Sequence, residues 1–112
     1  MAKNFKISPY SNGGTLYLKL GGDFDGISAH ELIDILKREG VRYPKIFIDT
    51  GGMSDIHPFG VDVFHSYFDR LKGSSVEFVF TGKNAVRLAP NKAATLGISI
   101  STMPPDAGSG KQ

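Results

Sequence analysis

Apolar and polar positions along the first 25 residues predict a β-hairpin. Leucine occupies every second position of the segment 15–20 from its second residue onward, which is typical of a strand with one buried face. The segment 5–10 is a second apolar stretch, and the Asn12-Gly13 pair between the two segments is a turn signal common in hairpins. Pro9 cannot donate a backbone hydrogen bond, so we expect the first strand at an edge of the sheet.

The apolar spacing then changes from two residues to the three or four that indicate a helix, and we place this helix at 29–39. Ser28 and Glu31 have the S-x-x-E spacing of a capping box, in which each side chain accepts a hydrogen bond from a backbone N–H at the other residue. Ile27, just before this cap, would pack back on the helix as part of a hydrophobic staple. Gly40 is expected to end the helix in the left-handed conformation.

The second half of the chain alternates strands and helices. An apolar run at 45–49 predicts a strand buried on both faces, followed by a loop, and VEFVF at 76–80 predicts another strand. Between them, apolar residues at helical spacing predict a helix that begins at Pro58 and ends at Gly73. Further along, we predict a broken helix at 84–96 around Pro90 and a short strand at 98–102. Helices between strands imply parallel pairing, so the fold class is α/β with an antiparallel hairpin at one edge.

Composition and charge narrow the possible functions. The 112 residues provide for one domain, expected at 1–102, and the Pro-, Gly- and Ser-rich segment 103–112 is expected to be a disordered tail. The net charge is only +2 and the basic residues are spread along the chain, which argues against a nucleic-acid partner. The chain has no cysteine, which excludes thiolate chemistry. It shows neither a membrane-spanning apolar run nor a secretory leader, so we expect a cytoplasmic protein without a membrane partner.

Two stretches resemble the signatures of the STAS domain family, the fold of anti-sigma-factor antagonists. GGDFDGISAHEL is similar to the first signature, and KIFIDTGGMSDIHPFGVDVF is similar to the second, which is an apolar strand ending in Asp, a Gly-containing loop and an Asp-Ser-x-Gly helix start. The matching positions are Gly22, Phe24, Asp25, Glu31 and Leu32 in the first stretch and Asp49, Gly52, Ile56 and Gly60 in the second. The likeness covers about residues 14–98. It implies a mixed four- to five-stranded sheet with helices on one side.

The sequence departs from this family at the start of the second helix. Where STAS regulators carry Asp-Ser, with the Ser accepting phosphate from a partner kinase, this chain has His57 and Pro58. The next position, usually small, is Phe59. Proline has no hydroxyl group, so the phosphoryl switch of the family cannot operate at this position.

The resemblance implies a non-catalytic bacterial signalling module that regulates transcription by binding another protein. The implied partner is an anti-sigma-type serine kinase or another STAS protein, with a weak homodimer also possible in this family; an alternative is an accessory role beside a transporter ATPase. No cofactor is implied. Phe59 either turns inward and packs or stands exposed at a protein–protein surface. In the second case it would form a compact apolar patch with Met53 and Ile56 of the adjacent loop. The predicted partner-binding residues are Asp25, Met53, Ser54, Asp55, Ile56, His57, Pro58 and Phe59.

Other chemistries remain as alternatives. His57 could act as a phosphoacceptor or general base if Asp25 or Asp55 oriented its ring. Thr50, Ser54 and Ser66 are further candidate phosphorylation sites. The three histidines lack the spacing of metal ligands, so we do not predict a metal site.

Overall fold

Five strands form one sheet in a computed structural model that describes residues 4–71, 76–90 and 99–101. The elements are β1 (Lys6–Asn12), β2 (Thr15–Phe24), α1 (Gly26–Glu39), β3 (Lys45–Ile56), α2 (Pro58–Phe68), a 3₁₀ turn (Asp69–Leu71), β4 (Glu77–Thr81), α3 (Ala85–Leu88) and β5 (Ser99–Ser101). The spatial order of the strands is β1-β2-β3-β4-β5. β1 pairs antiparallel with β2, and the other neighbours pair parallel. The predicted hairpin and the mixed α/β fold class are therefore confirmed, and Pro9 lies in an edge strand.

The three helices cover one face of the sheet. The core joins alternate strand residues such as Leu18, Ile48 and Phe80 to Leu32 of α1 and Phe64 of α2. The prediction that the strand at 45–49 is buried on both faces is wrong. Its other face is open, and the apolar side chains there form a partly exposed layer of their own.

On the open face, an aromatic stack lies near the amino-terminal ends of β2 and β3. It explains why the sequence of β3 begins with a continuous apolar run. Tyr17 and Phe47 are cross-strand neighbours, with ring centroids 4.8 Å apart and planes 15° apart. Lys45 places its ammonium 5.3 Å from the Phe47 ring centroid. Phe47 therefore packs against Tyr17 and Lys45 on the open face, where no described helix covers it.

β3 also continues through the segment that was expected to be a loop. Both β2 and β3 extend beyond their predicted ends, and their extensions pair with interrupted register through Gly21 and Gly52 and through Phe24 and Ile56. A Cβ added to Gly52 would lie 2.7 Å from the Leu20 carbonyl oxygen. Glycine at position 52 therefore lets β3 approach β2 where a bulkier residue could not, and this lengthens both strands.

The first helix ends at Glu39 with Gly40 as its C-cap, as predicted, but its start and the conformation of Gly40 need correction. α1 begins at Gly26, and its N-cap is Asp25, whose Oδ1 accepts hydrogen bonds from Ser28 N and Ser28 Oγ, each at 3.0 Å. Ser28 is therefore a buried residue of the first turn, and the capping box with Glu31 is wrong. Gly40 has φ −64°, which is not left-handed. A Cβ there would lie 2.8 Å from the Leu36 carbonyl oxygen, so close approach accounts for the glycine.

The remaining elements follow the predicted order. α2 begins at Pro58 as predicted, and β4 agrees with the predicted strand to within one residue at each end. Of the broken helix at 84–96 the structure describes α3, and of the strand at 98–102 it describes β5. Gly73, residues 91–96 and the tail 103–112 lie outside the described residues. Within the described ranges, every helix is too short or too polar to cross a bilayer.

Candidate functional site

The helix starts of α1 and α2 are packed together at the carboxyl ends of β2 and β3. His57 N donates a hydrogen bond of 2.9 Å to the Phe24 carbonyl oxygen, which ties the end of one strand to the end of the other. A Cβ built on Gly60 would lie within 2.7–2.8 Å of three backbone atoms of Asp25. Glycine at position 60 therefore lets the first turn of α2 lie directly against the cap of α1.

Two residues without a hydroxyl group form the start of α2. His57 is the N-cap in extended conformation (φ −80°, ψ 130°), and its side chain makes no capping hydrogen bond. Its carbonyl oxygen accepts the first intrahelical hydrogen bond, from Val61 N at 3.1 Å. Pro58 follows at the first helical position, where a missing N–H has no intrahelical partner to lose. The start of α2 is thus a rigid turn that offers no side-chain hydroxyl group at positions 57 and 58.

His57 has one carboxylate close to its ring. Its Nε2 lies 3.7 Å from Asp55 Oδ2, which is longer than a hydrogen bond. The Asp55 side chain is exposed and the His57 side chain is about half exposed. Water therefore screens this pair, and such surface pairs contribute little to stability. The arrangement also lacks the enclosure that would fix the geometry of a general base.

Asp25 contributes structure at this site. Its carboxylate accepts hydrogen bonds from two groups of Ser28, as described above, and Ser28 Oγ also lies 3.3 Å from the Asp23 carbonyl oxygen. Asp23 in turn accepts a hydrogen bond from Asp55 N at 3.3 Å through its Oδ1. Asp23 is not among the predicted partner-binding residues, because only the pairing of the β2 and β3 extensions brings it beside Asp55.

The apolar surface at this site differs from the predicted one. Phe59 is 71% exposed, and one edge of its ring lies 3.1 Å from the Cβ position of Gly26. Met53 and Ile56 are only 3% and 5% exposed and pack in the core, so their predicted place in an exposed patch is wrong. Ile27, in the first turn of α1, is also an exposed apolar residue, at 55%. Its predicted place in a staple before the helix is wrong, because α1 begins at Gly26, three residues before the predicted start.

The remaining hydroxyl groups differ in access. Thr50 is fully buried: its Oγ1 donates to the Thr81 carbonyl oxygen at 2.7 Å and accepts from Asn84 N at 3.1 Å. Ser54 and Ser66 are exposed. Thr50 therefore anchors the loop before α3, and Ser54 and Ser66 are the accessible members of this group.

The described residues hold no group of three or more His, Asp or Glu side chains that could bind a metal ion. The guanidinium of Arg87 contributes a structural contact here, since its Nη2 donates to the Ile56 carbonyl oxygen at 3.2 Å.

We define the docking surface as Ile27, Asp55, His57, Pro58 and Phe59. This surface lies at the two packed helix starts. It comprises the exposed apolar side chains of Ile27 and Phe59 and the solvent-screened pair of His57 and Asp55.

Comparison with solved structures shows the fold of this chain. The structure is similar to that of an anti-sigma factor antagonist from Mycobacterium paratuberculosis, with a TM-score of 0.61 and 15% sequence identity, over 92% of this chain and 90% of the other. No protein-family model matches the sequence, and no curated protein matches it either. The chain thus has the fold of an anti-sigma factor antagonist, as the resemblance to STAS domains implied.

Proposed function

We propose that this protein is a non-catalytic regulatory module that binds another protein through the docking surface. The observation that carries the proposal is Phe59, a large aromatic side chain held 71% exposed at the start of α2. Leaving a phenylalanine in water has a free-energy cost, and aromatic residues are enriched among the hot spots of protein interfaces. Ile27, in the first turn of α1 on which α2 packs, is exposed as well, and the fold is that of an anti-sigma factor antagonist, which supports a protein partner.

The partner would be an anti-sigma-type serine kinase or another protein of the same fold. In the phosphate-regulated members of the STAS family, a phosphoserine would add nearly two negative charges at the helix start. His57 and Pro58 carry no negative charge and offer no hydroxyl group there. The docking surface therefore matches the unmodified state, and we propose that binding here is not regulated by phosphate at position 58. An accessory role beside a transporter ATPase would use the same surface and is the alternative.

A catalytic or phosphocarrier role for His57 is less well supported. Among the described residues, the observation in its favour is Asp55, whose Oδ2 lies 3.7 Å from His57 Nε2; the Asp55 side chain is exposed and that of His57 is about half exposed. General acid–base catalysis gains from a partner within hydrogen-bond reach and from an enclosed site, and neither is found at this pair. We therefore propose the binding module.

Affinity capture of the protein from lysate of its own host tests the proposal. The bait is the wild type, Phe59→Asp or Val86→Asp. Val86 is the matched control because it is apolar and 67% exposed but lies on α3, away from the docking surface. We expect wild type and Val86→Asp to hold the same protein and Phe59→Asp to lose it. A protein held equally by all three baits would contradict docking at Phe59.

A further inference from the structure

The open face of the sheet, opposite the helices, carries a groove toward the carboxyl ends of β2, β3 and β4. The groove has a volume of about 570 Å³, within the range of small-molecule sites. It lies beyond the aromatic stack of Tyr17 and Phe47, where β2 and β3 continue into glycines. The lining residues are Lys6, Ser8, Lys19, Leu20, Gly21, Asp49, Gly51, Gly52, Gly82 and Lys83.

The glycines of the groove are not all required by the fold. Gly82 has φ +94°, and a Cβ on it would lie 2.6 Å from Gly51 N, so this glycine is structural. Gly21 differs, since its φ is not in the left-handed region and an added Cβ would meet only Lys6 Cγ at 3.7 Å and Gly52 O at 3.8 Å. These are ordinary contacts, so the fold would accept a side chain at position 21. Glycine there keeps the groove open.

Positive charge is concentrated around this groove. Lys6, Lys19 and Lys83 come from β1, β2 and the loop after β4, and Asp49 is the one carboxylate among the lining residues. Three ammonium groups and one carboxylate leave a formal charge of +2 (3 − 1). Within the described part of the chain, none of the three lysines has an ion-pair partner within 4 Å. The Asp49 carboxylate is bound to the backbone of the groove, because its Oδ1 accepts a hydrogen bond of 3.0 Å from Gly51 N.

One polar group beside the groove lacks a partner. Thr81 pairs with Asp49 across the parallel ladder and precedes Gly82 in the chain, so it adjoins two lining residues. Its Oγ1 is buried and makes no hydrogen bond with any described residue. A buried hydroxyl group without a partner is costly, and such groups are often satisfied by a ligand or an ion.

We propose that this groove binds a small phosphate-bearing molecule. Lysine ammonium groups act as point charges toward phosphate, and glycine permits close approach of a ligand to the backbone. An anion in the groove would also relieve the mutual repulsion of three like charges. The groove lies on the face of the sheet opposite the helices and the docking surface, so this proposal does not depend on the proposed function.

Titration with sodium pyrophosphate at fixed ionic strength, followed by backbone amide shifts of the isotope-labelled protein, tests the site. We expect saturating shifts at the amides of Gly21, Gly51 and Gly52. Because each lysine supplies a charge-assisted contact, Lys19→Gln and Lys83→Gln should each weaken binding roughly tenfold. Lys37→Gln is the matched control, since Lys37 is exposed on α1 in the helical layer, and should leave the dissociation constant unchanged.

A groove-filling variant separates a specific site from general charge attraction. Gly21→Val keeps all three lysines, and its side chain would occupy the groove beside Lys6, so pyrophosphate shifts should be lost while the dispersed amide spectrum is retained. The proposal is overturned if shifts grow linearly without saturation, or if Lys19→Gln and Lys37→Gln bind alike. It is also overturned if a hexaglutamate peptide saturates the groove and pyrophosphate does not, since the occupant would then be an acidic protein segment.

Discussion

Replacing Gly60 by alanine tests the packing that forms the candidate site. From helix propensity alone the change should stabilise α2, since glycine within a helix costs about 1 kcal/mol relative to alanine. The structure predicts the opposite sign. The added Cβ would meet the C, Cα and O atoms of Asp25 at 2.7, 2.8 and 2.8 Å, and all three are backbone atoms that cannot rotate away.

The magnitude follows from the two opposing effects. Overpacking of this kind costs about 1–3 kcal/mol, and three contacts below 3.0 Å indicate the upper part of that range. After subtracting up to about 1 kcal/mol for the gain in helix propensity, we expect a net loss of about 2 kcal/mol in the free energy of unfolding. The two helix starts would have to move apart, so the amide resonances of Asp25, Gly26 and His57 should shift most.

Urea denaturation followed by circular dichroism measures the loss directly. Gly14→Ala is the matched control, because a Cβ there would meet only Pro44 at 3.9 and 4.0 Å. Its free energy of unfolding should stay unchanged or rise by about 0.4–1 kcal/mol, as a reduction in unfolded-state entropy predicts. If Gly60→Ala were as stable as the wild type or more stable, the close packing of α2 on the cap of α1 would be refuted.

Three further changes test single contacts, each by urea denaturation. Pro58→Ser should retain the fold and lose less than about 1 kcal/mol, since only the fixed φ of the first helical position is given up; a loss of several kcal/mol would show that Pro58 is essential to the helix. Asp25→Ala should lower the free energy of unfolding by about 1 kcal/mol, because it removes the N-cap of α1, whereas Glu31→Ala should leave it unchanged. The reverse order would show that Ser28 and Glu31 form the capping box after all. Thr50→Val should cost about 1–3 kcal/mol, because the Thr81 carbonyl oxygen and the Asn84 N–H lose their hydrogen bonds. Thr81→Val removes a hydroxyl group that has no partner among the described residues, and should cost less than about 0.5 kcal/mol; equal losses would contradict the hydrogen-bond assignment.

Local patterns in the sequence were enough to predict the order of the strands and helices. The turn at Asn12-Gly13, the proline at position 58 and the change of apolar period each depend on residues close in the chain, and all three gave the observed elements. The extended ends of β2 and β3 did not follow, because Thr50–Ile56 has no strand pattern of its own. These residues are in a strand because Gly52 lets the backbone of β3 lie close to Leu20 of the neighbouring strand.

The candidate site was predicted in place but not in detail. Asp25 and Ser28 both satisfy local capping rules, and the choice between them depends on Ser28 being buried against the Asp23 and Asp25 segment. Whether Ile56 or Ile27 is exposed depends likewise on the strand pleat and on where α1 begins. Such choices are made by contacts between distant segments, so one sequence leaves them open.

The affinity of the captured partner for purified variants tests the central claim most directly. Titration calorimetry would compare wild type, Phe59→Asp and Val86→Asp with the purified partner. If Phe59 is a hot spot, Phe59→Asp should weaken binding at least about 30-fold, corresponding to about 2 kcal/mol, and Val86→Asp should bind as the wild type does. Equal affinity of Phe59→Asp and wild type would contradict the account, because the docking surface would then not hold the partner.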